Sequence, residues 1–143
     1  MTFVINVDGG SRGNPGPSAG GVVIRDGEGE ILLERGNFYG HATNNIAEYR
    51  ACVDGLRILK DLLSGKDPKT ADVLLRSDSQ LMVRQLTGEY KIKNPGLKPL
   101  AIQAHAAARA FRSVRFESIP REQNEDADRM VNAALDAGRD VDG

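Results

Sequence analysis

Apolar positions change their period several times along the 143-residue chain, and each change predicts an element. Phe3, Ile5 and Val7 alternate with Val4, Asn6 and Asp8, the pattern of a strand over residues 3–8 with one face inward. The run 9–17, Gly-Gly-Ser-Arg-Gly-Asn-Pro-Gly-Pro, reads as a loop, too rich in Gly and Pro for helix or strand. Strands over 21–25 and 31–35 flank Asp26-Gly27-Glu28-Gly29, a hairpin turn with too few spaced ligands for a calcium loop. From about 43 to 63 the period turns helical, with Tyr49, Cys52, Val53, Leu56, Leu59 and Leu63 three or four apart, and the segment 64–68 ends the helix. Val73-Leu74-Leu75 marks a buried strand over 72–77. Helices over 79–86 and 97–111, a strand over 114–119 and a helix over 124–137 complete the pattern.

The order β-β-β-α-β-α-α-β-α implies an α/β fold. Three hairpin-joined antiparallel strands plus two parallel ones make a five-stranded mixed sheet flanked by helices. Residues 1–137 are expected to form a single domain, and the polar tail 138–143 to fray. At 40% hydrophobic and 27% charged residues the chain is globular rather than disordered. No apolar run reaches the roughly 18 residues of a membrane helix, and the N-terminus lacks a signal-peptide pattern. The lone Cys52 can form neither an internal disulfide nor a cysteine metal cluster, which points to a reducing, cytoplasmic home. A net charge of -1 argues against charge-driven, non-specific nucleic-acid binding but leaves room for a local basic strip.

Four carboxylates stand where burial or element ends would gather them. Asp8 ends the first predicted strand and Asp78 the apolar one, and the carboxyl ends of neighbouring strands are the default site of an open α/β sheet. Asp78 could equally cap the helix after it, and Asp8 could serve a turn. Glu48 falls on the stripe of Cys52, Leu56 and Leu63, toward the core, where an unpaired carboxylate costs several kcal/mol. A capping box formed by Asn45 and Glu48 is the bland alternative. On the last helix, Asp128 lies nearer the apolar stripe centred on Val131 than do Glu125 and Asp126, which read as solvated. Carboxylates converging on one sheet edge would repel unless cations neutralised them. An all-oxygen ligand set selects Mg²⁺ or Mn²⁺, and two such ions suit phosphoryl transfer by activated water.

These residues sit within longer matches. Asp8-Gly9-Gly10-Ser11-Arg12-Gly13-Asn14-Pro15-Gly16, Ala42-Thr43-Asn44-Asn45-Ile46-Ala47-Glu48-Tyr49, Ser77-Asp78-Ser79-Gln80 and 119–128, from Ile119-Pro120 to Ala127-Asp128, occur in order over nearly the whole domain. With them the chain resembles type 1 ribonuclease H, in the branch without a basic protrusion. The resemblance implies a ribonuclease H-like fold. It also implies endonucleolytic hydrolysis of the RNA strand of RNA–DNA hybrids, leaving 5′-phosphate and 3′-hydroxyl ends. Asp8, Glu48, Asp78 and Asp128 would ligate two Mg²⁺ ions, for which Mn²⁺ can substitute: Asp8 bridging, Glu48 and Asp78 on the leaving-group side, Asp128 on the side of the attacking water.

The same resemblance places Gly10, Ser11, Asn14, Asn44, Asn45 and Gln80 along the minor groove, reading RNA 2′-hydroxyls. Turn chemistry and helix capping would explain several of them without substrate. Thr43 and Asn94 resemble part of a pocket for a DNA-strand phosphate, where His41 stands in place of a frequent Arg. Tyr90, Lys91 and Lys93 are either a small DNA contact or a solvated turn. Arg121 is the nearest counterpart of a loop His that aids product release, and His105 reads as structural. A monomer without membrane attachment is expected. The alternative reading is a catalytically silent hybrid-binding module, against which the full set of four carboxylates argues.

Overall fold

A computed structural model describes residues 1–143. Strands β1 (Thr2–Ser11), β2 (Gly16–Asp26) and β3 (Ile31–Ala42) form an antiparallel meander. After α1 (Asn44–Leu62), crossovers add β4 (Asp72–Ser77) and β5 (Ser113–Ser118) parallel to β1, with α2 (Gln80–Leu86) and α3 (Lys98–Ala108) between them. α4 (Glu125–Ala137) and a short β6 (Val141–Asp142) complete the chain. The sheet order is β5-β4-β1-β2-β3-β6, the mixed α/β architecture expected from the pattern.

Both faces of the sheet are covered in its middle. Phe3, Ile5 and Val7 of β1 and Val22 and Ile24 of β2 meet Tyr49, Cys52, Leu56 and Leu59 of α1 in the main core. On the other face Ala127, Met130, Val131 and Ala134 of α4 pack on Ala19 and Val23. β2 is therefore apolar on both sides and wholly buried over 18–24.

Two expectations need correction. The Gly/Pro-rich run is not a loop throughout, because β1 continues to Ser11 and β2 starts at Gly16, which leaves only 12–15 as the turn. Asp8 thus lies inside β1, opposite Gly21. Gly13 serves the turn, with φ +88°, but Gly9 serves close packing, as does Gly21 on the neighbouring strand. A Cβ on Gly9 would overlap the Ala47–Glu48 peptide of α1, and one on Gly21 would overlap the Ala127 carbonyl of α4. Secondly, the sheet has six strands, not five, and the tail is not frayed. Val141 and Asp142 pair with Gly36 and Arg35 of β3. Arg35 Nε donates to Asp142 (3.0 Å), Phe38 N to Asp140 (2.8 Å) and Gly143 N to the Glu34 carbonyl (3.1 Å). The tail thereby covers part of an edge that β3 would otherwise leave open.

Gly21→Ala is expected to force α4 away from the sheet. Backbone overlap cannot be relieved by a rotamer change, so urea denaturation should show a loss of about 3 kcal/mol, at the upper end of overpacking costs. A variant as stable as the parent would contradict the close approach.

Candidate functional site

The two glycine contacts bring α1 onto β1 and α4 onto the adjoining β2 from opposite faces, and each helix carries one acidic side chain to the same place. Asp8, Glu48, Asp78 and Asp128 line a single cavity of about 530 Å³, together with Gly10, Asn14, Asn44, Asn45, Gln80 and Arg121. Asp78 follows β4 directly and is not the cap of α2: Ser79 Oγ takes that role, accepting from Met82 N (3.2 Å). Nor does Glu48 belong to a capping box, because Thr43 caps α1 by accepting from Ile46 N (3.2 Å). Both acids are thus free of the structural duties that could have explained them.

The electrostatics fit a cation site. Burial pushes the Asp8 carboxyl up to about 8, and the charges of Asp78 and Asp128 push the same way, as does a hydrogen bond shared with Asp128. Burial also raises Glu48, partly offset by a hydrogen bond from Ser79, and raises Asp78 against the pull of Arg121. The four carboxylates line one cavity, but no three acidic, His or Cys side chains stand close enough together to hold a metal ion as they are. Oxygen donors alone, with their charge opposed by burial and by one another, suit a hard divalent ion such as Mg²⁺ or Mn²⁺.

The cavity mouth is built by hydrogen bonds between the β1–β2 turn and the start of α1. Asn44 Oδ1 accepts from Ser11 N (2.8 Å) and Ser11 Oγ (3.1 Å), while Asn44 N donates to Asn14 Oδ1 (3.1 Å). Capping therefore does not account for Asn44. Arg121 Nε lies 4.0 Å from Asp78 Oδ2, with its side chain 90% exposed against 13% for Asp78. His41, Thr43 and Asn94 lie outside the cavity. His41 is exposed opposite Pro17, Thr43 caps α1, and Asn94 holds a turn by accepting from Gly96 N (2.8 Å). Tyr90 accepts from Arg84 (2.6 Å), and His105 packs edge-on against Phe116. On α4, Asp128 is exposed at the cavity. Asp126, which reads as solvated, is instead half-buried in ion pairs with Arg25 and Arg129 that hold its carboxyl low.

Two residues of this region escape the sequence pattern. Asn6 and Asn124 are 6% and 1% exposed, and their side-chain amides bond to each other beneath the carboxylates. A polar residue alternating with apolar ones in a strand reads as an outward position, so Asn6 leaves no local signal. Asn124 shows only as a residue one turn before Asp128.

The family model described as reverse transcriptase-like matches residues 6–134. The bifunctional protein Rv2228c of Mycobacterium tuberculosis is 44% identical over 96% of this chain, which covers 36% of that relative's length. The chain thus spans about a third of the first curated relatives it matches. The crystal structure of RNase H1 from Halobacterium salinarum superposes with a TM-score of 0.88 at 40% identity, covering 96% of this chain and 99% of that one. LC11-RNase H1, from a compost metagenome and crystallised with an RNA/DNA hybrid, gives a TM-score of 0.89 at 40% identity, covering 95% and 98%.

A pH dependence follows from the raised Asp8 carboxyl. The folded chain holds that proton more tightly than the unfolded chain, for which 3.8 is the ordinary value. In EDTA, stability is therefore lost as pH rises from about 4 toward 8. Asp8→Asn should remove that loss and be the more stable protein near pH 8, with the gap closing toward pH 5. Urea denaturation at both pH values checks this, and a gap that does not change with pH would contradict it.

Proposed function

The chain belongs to the type 1 ribonuclease H family, and we propose that it is an endonuclease that hydrolyses the RNA strand of RNA–DNA hybrids, leaving 5′-phosphate and 3′-hydroxyl ends. The convergence of Asp8, Glu48, Asp78 and Asp128 on one cavity carries this reading. The hybrid-bound LC11-RNase H1 supports the substrate class. Asp8 would hold both Mg²⁺ ions, Glu48 and Asp78 the one nearer the leaving oxygen, and Asp128 the one nearer the attacking water. When bound, the ions activate water and stabilise the charge on the departing oxygen.

The remaining groups position the substrate. Gly10, Asn14, Asn44, Asn45 and Gln80 face the cavity mouth with amide and backbone groups suited to 2′-hydroxyls and sugar edges. Ser11 acts through its bonds to Asn44, which fix the β1–β2 turn against α1. Thr43, Asn94 and His41 are assigned to a phosphate of the DNA strand beyond the cavity. His41 gives that contact less fixed charge than an Arg would. Arg121, exposed beside Asp78, would aid release of the product. With Cys52 buried as a free thiol, the enzyme is assigned to the reducing cytoplasm and is expected to act as a monomer.

The test is a strand-labelled hybrid incubated with Mg²⁺ or EDTA, beside single-stranded RNA, duplex RNA and duplex DNA. The expected result is Mg²⁺-dependent cutting of the hybrid's RNA strand alone, with Asp8→Asn at least about a thousandfold slower, the loss of a central electrostatic group. Folded protein that binds the hybrid but cuts nothing, even with Mn²⁺, would leave the binding module as the correct reading.

A further inference from the structure

The β1–β4 ladder ends at the pair Asn6 and Arg76, one residue before the peptide that carries Asp8. β4 then turns away to present Asp78, and the carbonyl of Val7 passes to a side chain. Asn124 Nδ2 donates to Val7 O (2.9 Å), while Asn124 Oδ1 accepts from Asn6 Nδ2 (3.0 Å). The Val7 carbonyl, which can only accept, fixes which end of the Asn124 amide points where, and the bond from Asn6 holds that orientation. Through its own carbonyl, Asn124 also accepts from Asp128 N (3.1 Å), the first bond of α4.

One buried residue thus touches the peptide bearing Asp8 through its side chain and the turn bearing Asp128 through its backbone. Neither Asn lines the cavity with the carboxylates. We propose that Asn124, held by Asn6, is a positioning residue that sets the mutual placement of Asp8 and Asp128 and so tunes the affinity of the site for divalent metal. This rests on the assignment of those carboxylates as metal ligands. Groups that orient metal ligands typically change affinity or activity by 10–100-fold when removed.

Calorimetric titration of the protein with Mn²⁺ alone, without nucleic acid, gives the primary readout, and the Mg²⁺ requirement for hybrid cleavage the second. Asn124→Ala should weaken Mn²⁺ binding and raise the half-saturating Mg²⁺ concentration, each by roughly tenfold. At saturating Mg²⁺ its hybrid KM should stay within about twofold of the parent, as expected of a group that acts on the metal ligands and makes no substrate contact. Asn6→Ala should shift both readouts the same way by less, and the double variant should be no worse than Asn124→Ala. A lowered melting temperature with unchanged Mn²⁺ affinity in both variants would reduce the pair to packing, and losses that multiply in the double variant would overturn the orienting role of Asn6. Should Asn124→Ala not fold, Asn6→Ala decides by the Mn²⁺ titration. Weakened Mn²⁺ binding in the variants of a parent that cuts no hybrid would sink the nuclease reading and leave this inference standing.

Discussion

Two helices touch the sheet at backbone distance beside one aspartate. α1 rests on Gly9, the residue after Asp8, and α4 rests on Gly21, the residue across the ladder from it. Any side chain at either glycine would hold a helix off, and with it Glu48 or Asp128. The site is in this sense a by-product of packing. Helices set this close to a twisted sheet, on opposite faces, leave their acidic residues no place except the rim around Asp8.

That placement has an electrostatic cost, and the structure shows how it is carried. Asp8 sits between two like charges in a half-buried position that favours its protonated form. Opposing that, Arg121 and Asn124 stabilise charge on Asp78, and Ser79 does so on Glu48. These compensations are partial, since the carboxyls of Asp8, Glu48 and Asp78 all stay above their ordinary values. Around it the charged surface is conventionally paired, as in Arg12 with Asp136 and Asp126 with Arg25 and Arg129. The perturbed carboxylates are gathered around the cavity, where the proposed hydrolysis would use them.

Much of this is legible from residue order alone. Alternation in β1 and the three- and four-residue spacing in α1 identify both inward faces, and helix geometry singles out Asp128 from its acidic neighbours. The rest depends on contacts that leave no local mark. Gly9 looks like a turn residue because composition cannot distinguish a glycine that bends the chain from one that admits a helix. β6 has two residues, too few for any period, and forms only because β3 offers an edge. Asn6 and Asn124 look like ordinary surface amides, yet they meet across 118 positions of sequence. Asp126 reads as solvated until Arg25 arrives from a distant strand.

The most direct measurement is anomalous X-ray scattering from crystals grown with Mn²⁺ and a hybrid whose scissile phosphate resists hydrolysis. The account predicts two Mn²⁺ peaks in the cavity, with Asp8 oxygens at about 2.2 Å from both, near the usual distance for such ions, and the RNA strand's phosphate between them. A hybrid seated on this face with no metal peak among the four carboxylates, or a hybrid bound on another face, would contradict it.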